Sequence, residues 1–121
     1  MEKESEIIIE FEDRKHFLNS LKDNPGWIIL KFTATWCRPC KQIKTIVEEN
    51  FAQAPQNVIC CDLDVDDNID LYAFMKTMKQ VNGIPALLAY KKGNHTYAPD
   101  ISCSGTVHSN IQSFFDAVYN N

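Results

Sequence analysis

The sequence predicts an α/β fold, with a mixed central sheet of about five strands and four helices on its two faces. Three observations predict it. Apolar, β-branched runs alternate with segments of helical periodicity along the chain. One of the runs, residues 27–33, is nearly continuous, as in a strand buried on both faces. The last two strands are separated by tight-turn residues, so they form a hairpin, whereas the earlier ones need right-handed crossovers.

The elements follow in order. Residues 7–11 are a short β-branched run, read as the first strand. Residues 13–22 form a helix, with Phe17, Leu18 and Leu21 on one stripe and Asp13 placed to cap it. Asn24-Pro25-Gly26 is turn chemistry. Residues 27–33 make an apolar strand interrupted only by Lys31. From Cys37 to about Ala54 a helix fits, carrying Ile43, Ile46, Val47 and Phe51 at helical spacing. Residues 58–65 read as another interior strand. Residues 69–79 place Leu71, Phe74, Met75 and Met78 on one helical face. Residues 86–91 form a strand, Lys92-Gly93-Asn94 a tight turn, and residues 95–97 begin a return strand. Residues 109–119 close the chain as a helix with Ile111, Phe114, Phe115 and Val118 inward. Residues 1–6 and the last two or three are loose ends.

At 121 residues, with no linker, repeat or low-complexity tract, residues 1–121 are expected to be one domain. Twelve basic residues against 16 acidic ones give a net charge of −4, which argues against nucleic acid or an anionic membrane as partner. No apolar run reaches the roughly 18–20 residues of a membrane span. The acidic N-terminus does not resemble a signal peptide, so a reducing, cytoplasmic compartment is expected, where structural disulfides are not. Five cysteines then point to catalysis, metal or burial.

Trp36-Cys37-Arg38-Pro39-Cys40-Lys41 lies where a buried strand ends and a helix starts. A Cys-x-x-Cys pair there is poised for dithiol–disulfide chemistry. Unpaired N–H groups at the helix start stabilise a thiolate on Cys37, and two intervening residues let the second sulfur reach the first. Pro39 suits the first helical turn, where its missing donor costs nothing. A zinc site would need a second pair of ligands, and no Cys or His pair has that spacing.

The segment Phe32-Thr33-Ala34-Thr35-Trp36-Cys37-Arg38-Pro39-Cys40-Lys41 closely resembles the active-site segment of thioredoxins. Gly83-Ile84-Pro85, before the apolar strand, looks like the cis-proline loop of that family. Gly105 matches its glycine before the final helix. The resemblance runs from about Ile7 to Tyr119 and implies the thioredoxin fold. It implies that Cys37, partly exposed, attacks a disulfide of a client protein, and that Cys40, more buried, resolves the mixed disulfide. It also implies a cis Ile84–Pro85 bond and a flat apolar substrate groove of Trp36, Ile84, Pro85 and Gly105. No bound cofactor is implied. Recharging would come from an NADPH-dependent thioredoxin reductase or a similar donor.

The chain departs from the family pattern in several places. Arg38 replaces the usual glycine between the cysteines; its charge should favour the Cys37 thiolate and make the disulfide more oxidising, unless it points into solvent. Lys31, six residues before Cys37, stands where the family usually has a buried Asp. A lone buried lysine would lose its proton or demand a partner, and Asp62 on the neighbouring strand is the candidate. Lys31 and Asp62 then form a structural ion pair, or Lys31 assists the Cys40 thiolate, or its ammonium reaches water. The stretches 66–84 and 93–105 are each about four residues longer than usual. Pro99 in the second argues for a broken or bulged edge strand. Thr45 replaces the family's kink proline, so a straighter helix is expected.

Other features carry less. The aspartates at 62, 64, 66, 67 and 70 lack the glycine and the final glutamate of a calcium loop. Cys60 and Cys61 should point to opposite faces of their strand as inert thiols. Cys103 lies near the predicted groove rim. His16, His95 and His108 show no shared spacing. The function expected is reduction of protein disulfides. The alternatives are a specialised oxidoreductase with one client, and a binding or assembly subunit whose cysteines are dispensable.

Overall fold

The computed structural model describes residues 6–121, so the loose end expected at residues 1–6 falls, except for Glu6, outside the described residues. Four strands form one sheet in the order β2-β1-β3-β4. They are β1 (Trp27–Thr33), β2 (Val58–Asp64), β3 (Ala86–Lys91) and β4 (Ile101–Ser104). β1 runs parallel to β2 and antiparallel to β3, and β3 pairs with β4 as a hairpin. The mixed sheet is as predicted, with four strands in place of about five.

The central position of β1 explains its apolar run, interrupted only by Lys31, since neighbours flank it on both edges and layers cover both faces. One face packs Ile28, Leu30 and Phe32 with Cys61, Leu63, Leu88 and Tyr90. The helices on this side are α1 (Arg14–Ser20) and α4 (Ile69–Thr77), which contribute Phe17, Leu71 and Met75. The other face packs Trp27, Ile29, Cys60 and Leu87. It lies under α3 (Lys44–Ala52) and α5 (His108–Tyr119), through Val47, Phe51, Ile111, Phe114, Phe115 and Val118. Each fully buried Leu, Ile or Phe contributes about 1.5–3 kcal/mol of transfer free energy. Asp13 caps α1 by accepting the His16 N–H at 2.8 Å, as its position predicts. Cys60 and Cys61 do fall on opposite faces.

Three expectations need correction. The strand predicted at residues 7–11 is reduced to an isolated bridge, Ile8 to Cys61. Beyond it the backbone is captured by a side chain, since Asn68 Oδ1 accepts the Phe11 N–H at 2.8 Å and its Nδ2 donates to Ile9 O at 3.2 Å. The return strand starts at Ile101 and not at residues 95–97. Asn94 Oδ1 accepts the Thr96 N–H at 2.9 Å in a side-chain turn, which takes that donor from a ladder. The straight helix expected from Cys37 onward is broken. A short α2 (Arg38–Gln42) precedes α3, with Ile43 between them at φ −108° and ψ 2°. No proline is needed, because His108 Nε2 donates to Gln42 O at 3.0 Å and the Ile43 N–H bonds three residues back to Cys40 O. At the end of α4, Met78 is half-exposed and leaves the buried stripe.

Candidate active site

β1 delivers the chain to residues 34–37 at one end of the sheet, and α2 begins immediately after. Cys37 is the N-cap of α2, with extended backbone at φ −89° and ψ 107°. Its Sγ accepts the Cys40 N–H at 3.2 Å, so one orphan donor of the helix start points at the sulfur. Pro39 lies in the first turn, as expected. The Cys37 and Cys40 sulfurs are bonded, with Cα atoms 5.3 Å apart.

Both cysteines are more enclosed than the sequence suggested. Cys37 is only 5 % exposed and Cys40 3 %, which corrects the expectation of a partly exposed Cys37. The bonded sulfurs cover each other and join the core cluster with Ala34, against which Ile84 packs. The rim is open: Trp36 is 66 % exposed, and Arg38 and Pro39 are exposed beside it. Among the described residues Arg38 makes no ion pair.

The elements predicted around the pair converge unevenly. The Ile84–Pro85 peptide is cis, as predicted. Pro85 O accepts the Gly105 N–H at 3.4 Å, and Gly105 adopts φ +88°, a backbone that favours glycine. Pairing of Ala86 with Ser104 and of Phe32 with Ala86 brings these segments to the same end of the sheet as the cysteines. The Trp36 indole donates to Asp66 Oδ2 at 2.8 Å, a tether the sequence reading missed. Its signal lay in the parallel register: Thr33 faces Asp64, so the chain ends beyond them rise side by side.

Lys31 and Asp62 are register partners, and Lys31 Nζ lies 3.7 Å from Asp62 Oδ1. They line a cleft of about 530 Å³ together with Cys40, Lys41 and Lys44. The other thiols stand apart. Burial pushes the Cys61 thiol well above its usual range. Cys103 is half-buried on β4, packed against the α3/α5 core, and burial raises its thiol as well. Burial thus disfavours the thiolate form of both.

The protein-family model described as Thioredoxin matches residues 8–117. The thioredoxin of Pseudomonas aeruginosa is 31 % identical over 90 residues, 74 % of this chain and 79 % of that protein. The bifunctional thioredoxin reductase/thioredoxin of Mycobacterium leprae is 31 % identical over 91 residues, 75 % of this chain, which spans only 19 % of that protein. The solved Trichomonas vaginalis thioredoxin superposes with a TM-score of 0.70 at 29 % identity, covering 91 % of this chain and 96 % of that one.

Proposed function

Because the chain belongs to the thioredoxin family, we propose that it is a dithiol–disulfide oxidoreductase that reduces protein disulfides through Cys37 and Cys40. One observation carries the reading. The two cysteines are joined at a strand-to-helix junction, and Cys37 Sγ already accepts a backbone N–H that would stabilise it as thiolate.

In the reduced protein the Cys37 thiolate attacks one sulfur of a client disulfide. The client S–S bond breaks, its second sulfur leaves as thiolate and takes a proton, and Cys37 is left bonded to the client. The Cys40 thiol gives up its proton and its sulfur attacks Cys37. The Cys37–Cys40 bond forms, and the client departs with both sulfurs reduced. Two electrons pass from protein to client. In this reading Trp36, Ile84, Pro85 and Gly105 form the groove for an extended client segment, with the Ile84 backbone offering hydrogen bonds. The exposed indole of Trp36 and the contact between Gly105 and Pro85 support that assignment. Pro39 limits the flexibility of the first turn. Arg38 contributes weakly from solvent.

The clients are disulfide-containing proteins. The electron donor is an NADPH-dependent thioredoxin reductase or a similar enzyme. A relative named as a bifunctional thioredoxin reductase/thioredoxin supports that pairing. Among the described residues no helix is long and apolar enough to cross a membrane. A reducing compartment, the cytoplasm, suits a dithiol that must be kept reduced.

The test is turnover of a model protein disulfide by wild type, Cys37→Ser and Cys40→Ser. Cys37→Ser should abolish turnover, and Cys40→Ser should stop after the first step and accumulate the mixed disulfide. Turnover retained without Cys37 would sink the proposal. Client binding by wild type without any turnover would favour the subunit reading.

A further inference from the structure

Cys40, Ile43 and Val47 stand at i, i+3 and i+7, so one unbroken helix would present all three on a single stripe. The structure divides them. Cys40 packs in the core on the α1/α4 side of the sheet, whereas Ile43 and Val47 pack in the core under α3 and α5. The break at Ile43 makes this division possible, because it lets α2 lean toward one core while α3 stays against the other. The lean of α2 matters for the chemistry, since α2 carries the Cys40 N–H that Cys37 Sγ accepts at 3.2 Å.

α2 cannot hold that angle by itself. It spans five residues, far below the length at which a helix sustains itself in water. Ile43, the N-cap of α3, offers no side-chain hydrogen bond to fix the junction. The Gln42 carbonyl is the acceptor that an unbroken helix gives to the Ile46 N–H. Here His108 Nε2 donates to that carbonyl at 3.0 Å. A carbonyl only accepts, so the bond requires the hydrogen on Nε2, which the neutral ring and the cation can both supply. The donor is also well anchored. His108 is the first residue of α5, whose Ile111, Phe114, Phe115 and Val118 are buried. Three residues before it, Gly105 donates its N–H to Pro85 O at 3.4 Å.

We propose that His108 is a positioning residue for the dithiol couple: its hydrogen bond to Gln42 O holds the break between α2 and α3 and keeps the Cys40 N–H aimed at Cys37 Sγ. The inference rests on the dithiol reading given above and extends it to a residue far from the Cys-x-x-Cys turn in sequence. In the oxidised protein the disulfide ties residues 37 and 40 together. In the reduced protein no covalent bond does so, and the Cys37 thiolate keeps its donor only while α2 keeps its angle. Without His108, Gln42 O returns to the Ile46 N–H. α3 is pinned by Val47 and Phe51, so α2 is the part that swings into line, and its Cys40 N–H turns away from Cys37. The reduced form loses stabilisation, and the disulfide gains relative to it.

The experiment equilibrates the full chain with mixtures of glutathione and glutathione disulfide and measures the oxidised fraction. One glutathione disulfide takes two electrons and two protons from the dithiol, leaving the Cys37–Cys40 bond and two glutathione thiols. Loss of a hydrogen bond to a charged sulfur should move the equilibrium constant about tenfold toward the protein disulfide in His108→Ala. His108→Gln keeps an N–H donor of similar reach and should stay within about twofold of wild type. Thr45→Pro supplies the break by another route, because proline is tolerated in the first turn of α3 but clashes with continuation from α2. The double variant His108→Ala/Thr45→Pro should therefore return toward wild type. His108 is exposed, so these changes remove no core contact, and His108→Ser serves in place of His108→Ala if that variant does not fold. A folded His108→Ala or His108→Ser protein within about twofold of wild type would overturn the proposal, even if its Tm fell. A tenfold shift that His108→Gln fails to reverse would overturn it as well. Failure of the wild-type cysteines to exchange with glutathione at all would instead defeat the dithiol reading beneath it.

Discussion

Replacing Asn68 by alanine is expected to cost about 3 kcal/mol of stability and to loosen the wall of the active-site cleft. Asn68 is 2 % exposed at the start of α4. Its amide makes three hydrogen bonds: from the Phe11 N–H at 2.8 Å, to Ile9 O at 3.2 Å and to Asp64 O at 3.0 Å. Each contributes about 1 kcal/mol net, and leaving a buried backbone N–H unpaired works in the same direction. For a domain of this size the loss corresponds to about 12 °C in Tm. Urea unfolding measures it directly, with the m-value expected to stay constant. The damage should be local first. Amide exchange of Asp62, whose N–H bonds to Ile8 O at 2.8 Å, should accelerate, because residues 8–11 would lose their second anchor. Asn68→Asp keeps the acceptor for Phe11 but turns a carboxylate oxygen toward two carbonyls, so at neutral pH it should lose at least as much. A loss under about 1 kcal/mol, or unchanged exchange at Asp62, would refute the idea that one amide substitutes for the missing fifth strand.

Two further outcomes can be checked. Arg14 grips Asp70 through Nε at 3.1 Å and Nη2 at 2.8 Å, with its backbone N–H at 2.7 Å. Those hydrogen bonds, side chain first, lower the Asp70 carboxyl to about 2. A depressed carboxyl contributes stability that is complete above the usual carboxylate range and is lost as pH falls through about 2. Carboxyl-carbon NMR should find that midpoint, and Arg14→Ala should return it to the ordinary range; a normal midpoint in wild type would contradict the geometry. Arg38 is exposed and makes no ion pair among the described residues. A screened charge of this kind contributes about 0.5 kcal/mol. Arg38→Gly should therefore make the potential of the Cys37–Cys40 couple more negative by only about 10 mV. Equilibration with glutathione reads this, and a shift above about 30 mV would mean that the guanidinium acts at short range.

Much of the fold was legible because its signals are local. The nearly continuous run 27–33 required a central strand, and the structure places β1 between two neighbours with the same bounds. The stripe of Ile111, Phe114, Phe115 and Val118 required a buried helical face, and all four side chains are buried. Asp13, Gly93 and the Cys-x-x-Cys junction could each be assigned from their own turn chemistry. The errors share a different origin. The first strand and the strand at 95–97 were read from local pattern, and the straighter second helix from Thr45 in place of a kink proline. Each was undone by a polar side chain that takes a backbone group out of the regular ladder. Asn68 and His108 do so from 57 to 66 residues away, so no local window contains the competitor.

By itself the sequence determined the order of elements, the apolar faces that close the two cores, and two sulfurs one helical turn apart at a strand end. These follow from periodicity, caps and spacing, which act within a few residues. Only the tertiary structure decided that Cys37 is nearly enclosed, that Trp36 is tethered by Asp66, and that Asp62, the partner the sequence offers Lys31, stands 3.7 Å from it. Burial and the field at a charge depend on what other elements bring into contact with it, and that is set when the layers pack.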